Sequence, residues 1–94
     1  MSIDVHEDAR GSRYVAVEDG REVGLLTFTR RRGVFELIHT VTDPDERGHG
    51  VASTLAGRAF DDARERGERV RIICPFVESW LQRHPEQADI VTYD

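Results

Sequence analysis

The sequence contains no lysine. All 13 of its basic residues are arginine, so the chain offers no lysine amine of its own for modification. It has one cysteine, Cys74, which excludes an internal disulfide and fits a reducing, cytoplasmic setting. No apolar run approaches the roughly 20 residues that a membrane-spanning helix needs. The opening residues Met1–Asp8 have neither the basic nor the apolar stretch of a secretory signal, and their acidity argues against a transit peptide. The formal net charge is −5, whereas a nucleic-acid binder presents a basic face. Neither nucleic acid nor a membrane is therefore an expected partner. One basic run, Arg30-Arg31-Arg32, precedes Gly33 and reads as a hairpin tip that is solvated or touches a phosphate. The 4 histidines and Cys74 do not fall at metal-ligand spacings, so no metal site is expected.

What is present is one small domain. With 94 residues, 38% hydrophobic and 33% charged, the chain can enclose one core, and no repeat or linker interrupts it. Ser12–Glu18 alternates as a strand, with Val15 and Val17 opposite Tyr14 and Ala16. Asp19-Gly20 then gives a hairpin signal. Arg21–Arg30 is apolar on both sides, as a central strand is. After Arg32-Gly33, Val34–Thr42 forms a third strand, and simple alternation places Phe35, Leu37, His39 and Val41 on one face. His6 reads as a tail residue. From Gly48 or Gly50 to Arg66, apolar residues recur at helical spacing, and Gly67 supplies a stop. A fourth strand, Arg69–Cys74, and a short helix from Pro75 to Arg83 follow. His84 lies at the C-terminal end of that helix, and Ile90, Val91 and Tyr93 read as a last short strand. The fold class is α/β: a mixed, mostly antiparallel sheet with a right-handed strand–helix–strand crossover and a short C-terminal helix.

The crossover concentrates the chemistry. Parallel strands joined by a helix end at the same sheet edge, where ligands of open α/β sheets bind. Thr42, the loop Arg47–Ala52 and Cys74 should converge there. Free amides at a helix start, reinforced by the helix dipole, attract anions, and Gly48 and Gly50 leave room for a bulky phosphate. Cys74 precedes Pro75, at the N-cap of the next helix, a position that favours thiolate. It is either a small buried hydrophobe or a reactive thiol. His39 is either a satisfied core histidine or a proton acceptor. The residues thus point to a phosphate-bearing cofactor laid beside a cysteine.

Arg47-x-x-Gly50-x-Ala52 resembles the pyrophosphate-binding signature of the GCN5-related N-acetyltransferases. Ile38-His39-Thr40, Cys74-Pro75-Phe76-Val77 and Arg83-His84-Pro85-Glu86 resemble a compact, YjdJ-type subfamily of acetyltransferase-like proteins. The resemblance runs from Tyr14 to Val91 and implies a single acetyl-CoA-binding domain over residues 1–94. It implies acetyl-CoA as cosubstrate and an amine as acceptor, with the pantetheine arm between the third and fourth strands. The cofactor would lie on Thr42, Arg47, Gly48, His49, Gly50, Val51, Ala52, Ser53 and Phe76. Cys74 would be the candidate acetyl acceptor, with His39 as base. Two positions depart from the family pattern: Val41 stands where relatives often carry an acid, and Leu81 where many larger members carry a tyrosine. These departures keep a non-catalytic CoA- or acyl-CoA-binding module, or a protein-interaction domain, open as alternatives.

Overall fold

The structure, a computed structural model, describes residues 2–46 and 48–93. Five strands form one sheet in chain order: β1 (Asp4–Asp8), β2 (Arg13–Glu18), β3 (Arg21–Arg31), β4 (Val34–Thr42) and β5 (Arg69–Ile72). The first four pair antiparallel, and β5 adds to β4 in parallel through helix α1 (Val51–Arg66). Helix α2 (Pro75–Arg83) follows β5, and a 3₁₀ turn spans Pro85–Ile90.

Both helices cover the same face of the sheet and share one core. The buried stripe of α1 is Val51, Leu55, Ala56, Ala59, Phe60 and Ala63, the three- and four-residue spacing of one helix face. Phe60 meets Trp80 of α2 with ring centroids 5.1 Å apart. Beneath them Tyr14, Phe28 and Phe35 form an aromatic cluster. Close approach of α1 to the sheet requires a glycine at position 24, since a Cβ there would lie 2.6 Å from a methyl of Val51. Gly67, at φ 70°, ends α1 with its amide turned back to the last carbonyls.

Four expectations change. The N-terminal segment is the strand β1, paired from Asp4↔Val17 to Asp8↔Arg13. Its alternation is hidden because Val5 is its one apolar residue, yet Glu7 pairs with Arg30 at 2.9 Å and the Val5 carbonyl accepts a 2.6 Å bond from Arg58. His6 is therefore a strand residue. At the other end, the expected last strand reduces to one bridge, Val70↔Val91, with Thr92 donating to the Val70 carbonyl at 2.8 Å. The segment expected to be β5 as far as Cys74 leaves the ladder at Ile72. There the amides of Ile73 and Cys74 both donate to the Leu37 carbonyl, at 2.9 and 3.0 Å.

The fourth change concerns His39. Thr27 pairs with His39 but Phe28 pairs with Leu37, so Ile38 is an extra residue on β4. Such a bulge reverses the alternation beyond it. Phe35 and Leu37 point into the core, and after the bulge it is Thr40 and Thr42 that face the helices. His39 and Val41 turn to the outer, uncovered face and are exposed. His39 does not share a face with Phe35 and Leu37.

Candidate functional site

The strand pair β4/β5 holds together from Val34↔Arg69 to Leu37↔Ile72 and then separates, because β4 continues to Thr42 while β5 turns into α2. The gap widens on the helix side into a groove of about 490 Å³. Thr40 and Thr42 of β4 form one wall, and Phe76 and Arg83 of α2 form another. Gly48, Gly50, Val51, Ala52 and Ser53 close the end at the start of α1. The crossover thus brings together most of the expected cofactor-binding residues. Arg47 lies outside the described residues.

The α1 end of this groove is suited to an anion. Gly50 is the N-cap at φ 80°, and Gly48 has φ 85°. These are left-handed conformations that side chains resist. A Cβ on either would meet open space, so backbone conformation, together with access for a ligand, explains the glycines. The carbonyl of Gly50 accepts both the amide of Thr54 at 2.9 Å and its hydroxyl at 2.8 Å, which fixes the turn. The amides of Ala52 and Ser53 find no acceptor among the described residues. No acidic residue occupies the first turn of α1, so the positive end of the helix dipole is not offset from within.

One carboxylate does line the groove. Glu46 is nearly buried, and its two oxygens are taken by Arg21 and by Nδ1 of His49, each at 2.8 Å. Arg21 also holds Asp43 at 2.9 Å. His49 therefore faces Glu46, and its reach toward the groove is indirect. The pairing of Glu46 with Arg21 offsets a charge that would otherwise repel phosphate.

Cys74 is the N-cap of α2, with Pro75 in the first turn and the Glu78 amide donating to the Cys74 carbonyl at 3.1 Å. Its side chain does not cap the helix; the sulfur lies 3.5 Å from Oγ1 of Thr40. Cys74 is 2% exposed and connects to the groove through Thr40. His39, the expected companion of Cys74, is on the other side of β4, next to the same gap. Residue spacing does not single out Thr40 or Arg83 for the groove. Only the Ile38 bulge turns Thr40 inward, and Arg83 arrives there through the packing of α2. Among the described residues, no group of three or more His, Cys, Asp or Glu side chains is arranged to hold a metal, and no helix is long and apolar enough to cross a membrane.

Residues 13–90 match the sequence family described as GCN5-related N-acetyl-transferase. The solution structure of a GCN5-like protein from Staphylococcus aureus is similar over 95% of this chain and 87% of its own, with a TM-score of 0.74 at 15% identity. A ribosomal-protein-alanine N-acetyltransferase from Brucella melitensis is similar over 87% of this chain, with a TM-score of 0.63 at 22% identity. The ribosomal-protein-S18-alanine N-acetyltransferase of Escherichia coli is similar over 68%, with a TM-score of 0.61 at 17% identity. The chain spans 62% and 42% of the last two proteins, less than two thirds of either. No curated protein matches the chain in sequence.

Proposed function

The chain belongs to the GCN5-related N-acetyltransferase family, and from that premise we propose that it moves an acetyl group from acetyl-CoA to an amine. One observation carries the reading: the groove that opens where β4 and β5 part runs from the free amides at the start of α1 to the Thr40–Cys74 contact. The amides of Ala52 and Ser53 hold the pyrophosphate, with Gly48 and Gly50 leaving room for it. Arg83 adds a positive charge on the α2 wall. The pantetheine arm lies along the unpaired part of β4, past Thr42 and Phe76, so that the thioester reaches Thr40 and Cys74.

Two routes lead on from there. In the relay, the Cys74 sulfur bonds to the acetyl carbon, the carbon–sulfur bond of the thioester breaks, and the thiol proton leaves with CoA. The acceptor, arriving as an ammonium, gives one proton to His39; its nitrogen then displaces Cys74, and a second proton passes from the nitrogen to the departing sulfur. In direct transfer the amine attacks the thioester, His39 accepts its proton, and Cys74 lines the channel. His39 lies on the outer face of β4, away from Cys74, and so serves the amine in either route; it is not the base for the thiol.

Calorimetry with acetyl-CoA and CoA, followed by intact-mass measurement of the protein, tests the reading. Binding together with an acetyl adduct on Cys74 supports the relay. Binding without an adduct, with full turnover in Cys74→Ala, leaves direct transfer. Tight binding with no transfer to any amine selects a non-catalytic CoA-binding module. Val41, where relatives often carry an acid, and the buried Leu81, where many larger members carry a tyrosine, favour that second reading.

A further inference from the structure

The arginine run divides in the fold. Arg30 turns inward: its guanidinium lies 4.1 Å from the ring centroid of Phe35 and bonds to Glu7, Glu68 and the Tyr14 hydroxyl. Arg31 and Arg32 turn out and, with Arg71 of β5, border a cavity of about 320 Å³ floored by Val34 and Glu36. Three guanidinium groups thus face one carboxylate. That carboxylate is already committed, since Glu36 accepts from the Thr29 hydroxyl at 2.9 Å and from Arg71 at 3.1 Å. The Thr29 hydroxyl and the Arg71 guanidinium hold the Glu36 carboxyl below its usual range. Neither Arg31 nor Arg32 has an ion-pair partner among the described residues. In a chain of net charge −5, this is a local excess of positive charge, three guanidinium groups against the single carboxylate of Glu36 among the described residues that line the cavity.

Its location gives it meaning. Arg71 and Ile73 alternate outward with Ile72 and Cys74 inward, and Ile73 is 52% exposed. Two residues of extended chain separate Arg71 from Ile73, about 7 Å at the rise of a strand. Ile73 and the outward His39 flank the gap between β4 and β5 from the outer face. The groove described above enters the same gap from the helix face. A molecule lying along this outer strip would have one end among guanidinium groups and the other beside His39 at the gap.

We propose that the acetyl acceptor is an amine whose far end carries an anionic group, a carboxylate or a phosphate, held by Arg31, Arg32 and Arg71 while the amine sits between His39 and Ile73. This rests on the acetyl-transfer reading of the groove. Planar guanidinium groups pair with such oxyanions in two-pronged fashion, and Ile73 covers an apolar spacer. In the transfer step the amine nitrogen bonds to the acetyl carbon as its bond to sulfur breaks, and the nitrogen's proton passes to His39. A competing cavity of about 340 Å³ on the other side of Val41, bordered by Glu22 and Asp43, has the opposite charge and would seat a cationic end.

Three amines with spacers of comparable length separate these outcomes: 6-aminohexanoate, hexylamine and 1,6-diaminohexane, with far ends negative, neutral and positive. The expected KM for 6-aminohexanoate is about tenfold below that of hexylamine, the effect of one charge-assisted contact, with the diamine poorest. Arg31→Gln/Arg32→Gln, which removes charge without unpairing Glu36, should collapse that order. Titration of the free protein with 6-aminohexanoate, followed by amide chemical shifts, should move Val34, Arg71 and Ile73. Equal KM values for the three amines overturn the inference and leave the acetyl-transfer reading intact; a preference for the diamine overturns it in favour of the Glu22/Asp43 cavity. Shifts at Arg71 and Ile73 with no transfer to any of the three amines support the anion strip and count against the transfer reading. No shifts and no transfer overturn both.

Discussion

The hydroxyl of Thr40 lies 3.5 Å from the sulfur of Cys74, a contact across the gap between a strand and the start of a helix 34 residues later. It is the one polar side-chain contact of that sulfur among the described residues. A hydroxyl that donates to a thiolate stabilises it, and hydrogen bonds to charged groups are worth about 1.5–3 kcal/mol. Thr40→Val keeps the shape and removes the donor. We expect alkylation of Cys74 by iodoacetamide to slow by about tenfold or more at neutral pH. Thr40→Ser should restore the rate. A valine variant that is alkylated as fast as the wild type would show that the contact is only packing.

Gly50 carries the second prediction, because its backbone conformation and its groove position can be tested apart. Gly50 has φ 80° and Gly20, in the β2–β3 hairpin, has φ 77°, with open space around both. Alanine at either position should cost a similar ~1 kcal/mol of stability, the strain of a side chain in the left-handed region. Only Gly50→Ala should also weaken CoA, and Gly50→Glu should abolish binding by adding a negative charge where the pyrophosphate is held. Thermal melts give the first quantity and calorimetry the second. CoA affinity unchanged in a folded Gly50→Glu variant would put the pyrophosphate elsewhere.

Much of this arrangement is legible in the residues, and the parts that are not have identifiable causes. The hairpin turns, the amphipathic stripe of α1 and Pro75 after an N-cap residue are local signals that the packing reinforces, so the crossover follows from them. The face of His39 is not local. It depends on one extra residue, Ile38, whose place is set by pairing with β3, and a pattern of alternation carries no mark of where a register slips. β1 pairs with its neighbour β2 but escapes notice because the contacts that hold its polar groups lie far along the chain: Glu7 reaches Arg30, and the Val5 carbonyl reaches Arg58. The arginine run reads as one feature, although alternation in β3 sends Arg30 inward and Arg31 outward. The burial of Glu46 has no local signal, since it is made by Arg21, 25 residues away.

Tyr14 gives a dependence on pH whose sign can be worked out. Its ring is fully buried, and its hydroxyl donates to Asp62 at 2.7 Å. Burial first, and then the bond to the Asp62 carboxylate, push the phenol far above its usual value. The folded protein therefore keeps a proton that the unfolded chain releases above pH about 10. The stability this group adds is complete below that pH and is lost as pH rises beyond it. Tyr14→Phe removes the titrating group along with its bonds to Asp62 and Arg30. Denaturant melts of both proteins should differ most at neutral pH, and the difference should narrow steadily on the alkaline side of pH about 10. A constant difference across that range would mean that Tyr14 ionises as readily in the folded state as in the unfolded.

Placement of His39 and Cys74 on opposite sides of β4 separates the two halves of the proposed reaction. A base for the thiol would have to reach the helix side, where Thr40 stands; a base for the amine belongs on the outer face, where His39 is exposed. If the relay operates, His39→Ala should leave the rate of Cys74 acetylation by acetyl-CoA unchanged in the absence of acceptor. The same variant should slow transfer to the amine by about a hundredfold, the lower range of general base catalysis. Raising the pH should recover part of that loss, because a free amine no longer needs the imidazole. Rapid-quench mass spectrometry of the protein, with and without amine, measures the two rates independently. Equal slowing of both steps would require His39 to act on the sulfur, which the direction of its side chain does not permit, and would call for a rearrangement of β4 on cofactor binding.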